Sequence, residues 1–366
     1  MPGLPLFIHV GLQKTGTSFL QSIFWHNQAE LAAQGLDLVP GSKRDTFHLM
    51  LDVRGRYQPH FDPPEVSEAL ATLPGKLAAL TGTRALITEE SLAPASDEQI
   101  RTLLDACADR EVHLILTLRD LGRQIPAAWQ QELQSGASVS FERYLKRLAK
   151  QRRKPNARLW INKDIVGILN RWGAHVPAER IHLVTVPPRG AAPGELLSRF
   201  CAVIGVDPAR LDQEVGRLNE SLGRPQAEVL AEVNALLSKQ DLRRDVYGEV
   251  GKRYLAVKML VPQKGERILV PAKARAWVTE LSMTYVEAVA SGGYDISGAI
   301  SDLIPDASSF ASHDRVPSDR EVADAAVAAL AAVVADRSNA VRARRDELAR
   351  PSVVKRLRTL ARRSRR

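Results

Sequence analysis

The sequence predicts an α/β fold in which a parallel sheet lies between two layers of helices. Short apolar runs of strand length alternate along the chain with longer segments that carry apolar residues at helical spacing. The runs at 6–10 and 112–118 are almost continuously apolar, which is typical of strands buried on both faces. Alternation of such strands with helices indicates crossover connections, and hence a three-layer, doubly wound sheet.

The predicted elements follow one another in a regular order. A strand at 6–10 leads through a loop with a glycine at each end into a helix over 17–34, and a short strand follows at 36–39. Helical patterns at 47–80 are interrupted by prolines. Further strands are predicted at 84–88, 112–118 and 181–186. Helices are predicted at 97–109, 122–134, 140–151 and 162–173, with mostly helical sequence over 195–262.

Residues 11–18, Gly-Leu-Gln-Lys-Thr-Gly-Thr-Ser, are the most informative stretch. They join the first strand to the first helix. The first N–H groups of a helix have no partner within it, and the helix dipole adds about half a positive charge there, so a helix start attracts anions. The Lys14 ammonium and the hydroxyls of Thr17 and Ser18 would complete a site for a phosphate or a sulfate.

The position of the lysine separates this loop from the phosphate loop of ATP and GTP enzymes, G-x-x-x-x-G-K-[ST]. Gly11 and Gly16 have the required spacing, but Thr17 stands where that loop needs lysine. Lys14 lies inside the loop instead, closer to a group that is being transferred. No separate acidic strand end for Mg²⁺ stands out, and we expect no metal. A small-molecule kinase remains the alternative enzyme.

A second anion-binding group follows the strand at 112–118. Arg119 ends this strand, and its planar guanidinium can hold a phosphate with two hydrogen bonds. The Lys-Thr-Gly-Thr-Ser sequence at 14–18 and the Arg-Asp-Leu-Gly-Arg sequence at 119–123 together resemble the two phosphate-binding motifs of bacterial sulfotransferases. The resemblance covers about residues 6–305. It implies a P-loop-like sulfotransferase fold and the sulfate donor 3′-phosphoadenosine 5′-phosphosulfate (PAPS).

The resemblance also implies roles for individual residues. Lys14 would stabilise charge on the bridging oxygen as the phosphate leaves, and Arg119 would bind the 3′-phosphate. Phe19 stands where some relatives carry a tryptophan that stacks on adenine, with packing in the core as the alternative. The 5′-phosphate would be held by the loop and the helix start, which comprise Gln13, Lys14, Thr15, Gly16, Thr17 and Ser18.

One group of the family pattern is absent from this sequence. Sulfotransferases carry a serine eight residues after the arginine, and Ala127 stands at that position. Arg123, Gln124 or a backbone N–H would then take the place of the serine, or the affinity would be lower. One hydrogen bond contributes about 1 kcal/mol, so its loss need not abolish binding. A sulfotransferase-like protein that binds the nucleotide without turnover is therefore a further alternative.

Transfer to an acceptor hydroxyl or amine needs a general base. A histidine side chain ordinarily titrates near neutral pH, so His48 is our first candidate, and Glu89, at the end of the strand 84–88, is the second. The carboxyl ends of parallel strands meet at one edge of a sheet, where ligands bind. We therefore expect Lys14, Glu89, Arg119 and Arg189 at the same edge. The acceptor itself, a small molecule, carbohydrate or lipid, is not readable from the sequence.

The positive charge of the chain is concentrated at one end. The net charge is +9, and residues 341–366 hold eleven Lys and Arg against two acidic residues. The rest of the chain is therefore neutral, which argues against a nucleic-acid-binding surface. Apolar and basic residues alternate at helical spacing over 353–361, a pattern that can lie on an anionic membrane surface. A solvated tail is the alternative.

The predicted domains are an α/β domain at 1–305, a linker at 306–322 and a helical, basic extension at 323–366, with an alanine-rich helix at about 319–337. Residues 217–224 and 277–305 resemble two further segments of the bacterial sulfotransferases. Cys107 and Cys201 are predicted to be reduced thiols of a cytoplasmic protein. No apolar stretch has the length of a signal peptide or membrane span, so membrane contact would be peripheral. The oligomeric state stays open.

Overall fold

The computed structural model describes residues 3–154, 156–215 and 221–349. A six-stranded sheet runs through it in the order β2-β3-β1-β4-β5-β6, and every neighbouring pair of these strands is parallel. The predicted α/β class, a parallel sheet flanked by helices, is thereby confirmed. The strands are β1 (Pro5–Gly11), β2 (Leu36–Leu38), β3 (Arg84–Thr88), β4 (Glu111–Leu118), β5 (Ile181–Thr185) and β6 (Asp295–Ser297).

The helices connect these strands and add a second group after β5. The α-helices that accompany the sheet are α1 (Thr17–His26), α2 (Gln28–Ala33), α3 (Lys43–Val53), α4 (Leu73–Ala78), α5 (Asp97–Asp105), α6 (Leu121–Leu133), α7 (Phe141–Gln151), α8 (Ile165–Gly173) and α9 (Glu195–Ile204). The later helices are α10 (Arg224–Leu236), α11 (Arg244–Tyr247), the π-helical segment Gly248–Leu260, α12 (Arg275–Ser291) and α13 (Asp319–Ala349).

Several elements differ from the predictions, among them α5, which ends at Asp105 rather than at 109, and α13, which continues to Ala349 rather than to about 337. The helix predicted over 17–34 is two helices, because Asn27 leaves helical geometry and its Nδ2 donates to the carbonyls of Ile23 and Asp212. The strand β6 was missed, since its three residues, Asp-Ile-Ser, show no apolar run. The helix predicted at 162–173 begins at Ile165.

The core fixes β1 and α1 with respect to their neighbours. Leu6, Ile8 and Val10 of β1 are fully buried, and β1 lies in the middle of the sheet between β3 and β4. On one face of the sheet, apolar side chains of α1 and α9 pack into a single cluster that includes Phe24 and Phe200. The first turn of α1 is thereby held against the carboxyl end of β1.

The chain forms two compact units. One contains the described residues of Met1–Glu132, Val139–Ser221 and Ile268–Arg315, and the other those of Leu133–Ser138, Leu222–Arg267 and Val316–Arg366. These units divide the chain differently from the predicted segments 1–305, 306–322 and 323–366, which stay a prediction. The segments at 217–220 and 353–361 lie outside the described residues. Within the described residues, no helix combines the length and apolar character that crossing a membrane requires.

Candidate functional site

The loop between β1 and α1 has a backbone that demands glycine at both ends. Gly11 and Gly16 have φ of 85° and 89°, in the left-handed region. A Cβ on Gly11 would lie 2.5 Å from Cβ of Glu90, and one on Gly16 would lie 2.5 Å from Cδ2 of Leu196. Lys14 also has a positive φ, 67°, which costs a residue with a Cβ about 1 kcal/mol. The predicted anion loop is thus tightly folded, with its lysine in a strained backbone conformation.

The start of α1 presents backbone N–H groups at the end of this loop. Gly16 is the N-cap and supplies no side-chain acceptor. The N–H groups of Phe19 and Leu20 donate to the Gly16 carbonyl at 3.0 and 3.2 Å, so the N–H groups before them have no acceptor within the helix. Thr17 is buried and Ser18 is partly exposed. This geometry suits an anion at the helix start.

A row of hydrogen-bonded, buried polar side chains connects the loop to the central strands of the sheet. The His9 ring lies between two threonine hydroxyls of the neighbouring strands β3 and β4. Thr88 Oγ1 is 2.8 Å from His9 Nδ1, and Thr117 Oγ1 is 3.3 Å from His9 Nε2. Thr117 Oγ1 lies 2.5 Å from Thr15 Oγ1, which donates to the Leu12 carbonyl. All these bonds are satisfied when Thr88 donates to His9, His9 carries its proton on Nε2, and Thr117 donates to Thr15.

This chain of hydrogen bonds decides how Thr15 can act. Its side chain is buried and its hydroxyl faces the sheet, so a phosphate contact from Thr15 would have to come from its backbone N–H. Burial lowers the pKa of His9 to about 3, and the ring is therefore neutral at physiological pH. A neutral ring with one proton is what the bonds to Thr88 and Thr117 require.

We expect His9 to make the protein sensitive to acid. The unfolded state, with an ordinary histidine pKa near 6.5, takes up a proton that the folded state refuses until about pH 3. The free energy of unfolding should therefore decrease as the pH is lowered from about 6.5 to about 3. His9 should contribute up to about 1.4 kcal/mol per pH unit to this decrease. His9→Gln should remove that part of the slope in denaturant titrations, whereas His60→Gln, at an exposed position, should leave it. Equal slopes in both variants would contradict this.

Arg119 and Lys14 come together at the loop. Nη1 of Arg119 donates to the Lys14 carbonyl at 2.9 Å, and its Nε is buried without a hydrogen-bond partner in the described part of the chain. Burial, and then the charge of Arg123, lower the pKa of Arg119 to about 10, so it stays protonated at neutral pH. This buried N–H lies next to the anion loop and can donate a hydrogen bond to an anion bound there.

Arg123 has a structural role. Its backbone N–H and Nε both donate to the Asp120 carboxylate, and its Nη1 and Nη2 donate to the carbonyls of Pro187 and Val186 at 2.7 and 3.2 Å. The side chains of Arg123 and Asp120 are 8% and 3% exposed. Arg123 thus fastens the start of α6 to the end of β5. The predicted phosphate contact would have to use an N–H outside these bonds.

Two amide side chains that meet Gln13 complete the polar surroundings of the loop. Gln124 is fully buried, its Nε2 donates to the Gln13 carbonyl at 3.0 Å, and its Oε1 has no partner in the described residues. Asn162 Nδ2 donates to Gln13 Oε1 at 3.4 Å, and its Oδ1 is likewise buried without a partner there. Asn162 carried no sequence signal, because it belongs to a turn far from the loop in the chain.

The residue after Asn162 is a buried lysine that sequence reasoning also missed. Lys163 is 5% exposed, and its Nζ donates to the Leu159 carbonyl at 2.9 Å. Burial lowers the pKa of its ammonium to about 8, with the charge of Glu132 acting in the opposite direction. Lys163 therefore carries a positive charge at neutral pH that a modest rise in pH removes.

Glu89 and His48, the two candidate bases, differ in their surroundings. Glu89 follows β3, its N–H donates to the His9 carbonyl at 2.9 Å, and its Oε1 accepts from the Ser91 N–H at 3.0 Å. Burial and the adjacent Glu90 raise the pKa of Glu89 to about 7. His48 is a partly buried residue on α3. Glu89 thus lies beside the end of β1, where the loop begins, and this position favours it over His48 as a base.

Phe19 and Arg189 are the remaining residues that the sequence predicts near the site. Phe19 is partly buried and packs against the core cluster of α1 and α9, which supports the core-packing alternative to adenine stacking. The charge of Arg189 acts on Arg119, as expected for two residues at one edge of the sheet. In the part of the chain that the structure describes, no three His, Cys, Asp or Glu side chains are placed to hold a metal ion.

A search of solved structures finds a likeness to a crystal structure of a sulfotransferase from Alicyclobacillus acidocaldarius. The two chains are 16% identical, and the match covers 59% of this chain and 86% of that one, with a TM-score of 0.38. No protein-family model and no curated protein matches the sequence. A fold hosts many functions, so the residues of the site itself have to support any statement about activity.

Proposed function

We propose that this protein is a PAPS-dependent sulfotransferase that moves a sulfuryl group to a hydroxyl or amine of an acceptor. The observation that carries the proposal is the contact between Arg119 and the Lys14 carbonyl at 2.9 Å. Through this contact the Arg119 guanidinium lies at the same loop as Lys14 and the first N–H groups of α1, which no side chain caps. A nucleotide with phosphate groups at both its 3′ and 5′ positions matches such a set of separate positive groups.

The residues suit in-line transfer between two oxygens, in which positioning and charge stabilisation carry most of the catalysis. The N–H groups at the loop and at Thr17 and Ser18 would bind the 5′-phosphate. Lys14 would stabilise the charge that develops on the bridging oxygen. Arg119 would bind the 3′-phosphate through the N–H groups that do not contact the loop.

We assign the general base to Glu89 rather than His48. Glu89 lies beside the end of β1, where its N–H donates to the His9 carbonyl, and burial raises its pKa to about 7, near the pH at which a base works best. Its carboxylate would accept the proton of the acceptor hydroxyl or amine as the sulfuryl group arrives. The acceptor is a small molecule, carbohydrate or lipid, and the protein acts in the cytoplasm or at the inner face of a membrane.

The proposal is tested by measuring which nucleotide, adenosine 3′,5′-bisphosphate or ATP, increases the free energy of unfolding of the protein more. Adenosine 3′,5′-bisphosphate at a hundred times its dissociation constant should add about 2.7 kcal/mol to the free energy of unfolding, and ATP should add much less. Arg119→Gln should weaken binding of the bisphosphate about 10–150-fold, because it removes a hydrogen bond to a charged group. Arg101→Gln, on the exposed face of α5, is the matched control and should bind normally.

Two results would change the assignment. Stronger stabilisation by Mg²⁺-ATP than by the bisphosphate would favour a kinase. Tight binding of the bisphosphate without sulfuryl transfer to phenolic, sugar or amine acceptors would favour a protein that binds the nucleotide without turnover, as Ala127 in place of the family serine allows.

A further inference from the structure

Helix α13 has two faces of different character. One face packs on its own unit, where Ala325 and Ala329 are buried. On the same face the Asp336 carboxylate accepts hydrogen bonds from the Tyr254 hydroxyl at 2.9 Å and from Lys258 Nζ at 2.6 Å. The helix is 31 residues long, about 46 Å, and these contacts attach it to the unit through this face.

The opposite face carries an exposed apolar stripe. Val327, Leu330, Val334 and Val341 are 64%, 65%, 65% and 52% exposed. At 100° per residue these four side chains fall within about 60° of each other around the helix axis. Single exposed apolar residues are ordinary on a protein surface, but a continuous stripe of large ones marks an interaction surface.

The spacing of the stripe indicates what covers it. Val327, Val334 and Val341 are seven residues apart, and Leu330 follows Val327 by three. A seven-residue apolar repeat forms the contact line of a helix that packs along another helix in a coiled coil. The partner that fits is therefore a long helix with the same repeat.

Charges at the two ends of α13 select the orientation. The first turns contain Asp319, Glu321 and Asp324 against Arg320, a net charge of −2, and the last described turns contain Arg342, Arg344 and Arg345 against Asp346 and Glu347, a net charge of +1. Two parallel copies would bring like charges together, which is unfavourable. Two antiparallel copies would place the acidic start of each helix beside the basic end of the other.

We propose that α13 pairs with α13 of a second copy of this chain as an antiparallel two-helix coiled coil. Val334 is the middle residue of the helix, and the two-fold axis would pass beside it. Val327 then faces Val341 of the partner subunit. The valines repeat symmetrically about Val334, so one pairing buries the stripes of both copies. This assembly does not depend on the proposed enzymatic activity.

The first test compares two lysine variants of the full-length protein. Val334→Lys places two like charges at the two-fold axis, whereas Ala335→Lys adds the same charge at an exposed position beside the stripe. In sedimentation equilibrium the natural protein and Ala335→Lys should have twice the mass of one chain. The dimer dissociation constant of Val334→Lys should rise at least about 10-fold. Unchanged circular dichroism would show that both variants are folded.

The second test determines orientation with single introduced cysteines. Cys107 and Cys201 are buried, so cross-links should come from the introduced thiols. An equal mixture of Val327→Cys and Val341→Cys should form the mixed disulfide under mild oxidation, and Val327→Cys alone should form little. A monomer at all concentrations, with the stripe covered by the chain's own residues 350–366 or by nothing, would overturn the proposal. So would a dimer insensitive to Val334→Lys or disulfides between two Val327→Cys chains.

Discussion

Release of adenosine 3′,5′-bisphosphate from PAPS should fall about 10²–10³-fold when Lys14 is replaced by glycine. The proposed role of the ammonium is to stabilise the charge that develops in the transition state. The rate would be measured with a phenolic, a sugar and an amine acceptor in turn.

Glycine is the informative replacement because of the backbone at Lys14. Its φ of 67° favours glycine, so Lys14→Gly should be at least as stable as the natural protein while it loses activity. Higher stability with lower turnover would mean that the strained lysine is kept for function. Lys146→Ala, on the exposed face of α7, should have normal turnover. A Lys14→Gly protein with normal turnover would refute the assignment of the loop.

Glu89→Gln should reduce the same turnover about 10²–10⁴-fold, the usual contribution of a general base. Glutamine keeps the size of the side chain and an oxygen that can accept from the Ser91 N–H, but it cannot take up a proton at neutral pH. In the natural protein the rate should rise with pH up to about 7, where Glu89 ionises, and then level off. The variant should lack this rise.

A stability measurement separates this role from a merely structural one. The folded pKa of Glu89 lies above its ordinary value, so its contribution to stability is greatest below about pH 4.5 and is lost as the pH rises through about 7. At pH 8 the free energy of unfolding of Glu89→Gln should therefore exceed that of the natural protein by on the order of 1–3 kcal/mol. His48→Ala is the matched test of the other candidate, and a large loss of turnover in that variant alone would return the base to His48.

Local patterns predicted much of the sheet. The strands β1, β3, β4 and β5 each contain a mostly apolar run, and burial on both faces of a parallel sheet favours such runs. The edge strand β6 has only three residues and no such run, so its place in the sheet depends on pairing with β5. The break at Asn27 likewise depends on a hydrogen bond to Asp212, which is remote in the chain.

The sequence by itself determined that a lysine-bearing loop joins a strand to a helix start, because glycine spacing and an apolar run are local signals. Tertiary structure alone decided which polar atoms serve that loop. It turned the Thr15 hydroxyl toward Thr117, bound Arg123 to the carbonyls of Val186 and Pro187, and brought Asn162 to Gln13. Hydrogen bonds and burial depend on distances in space, and spacing along the chain does not contain them.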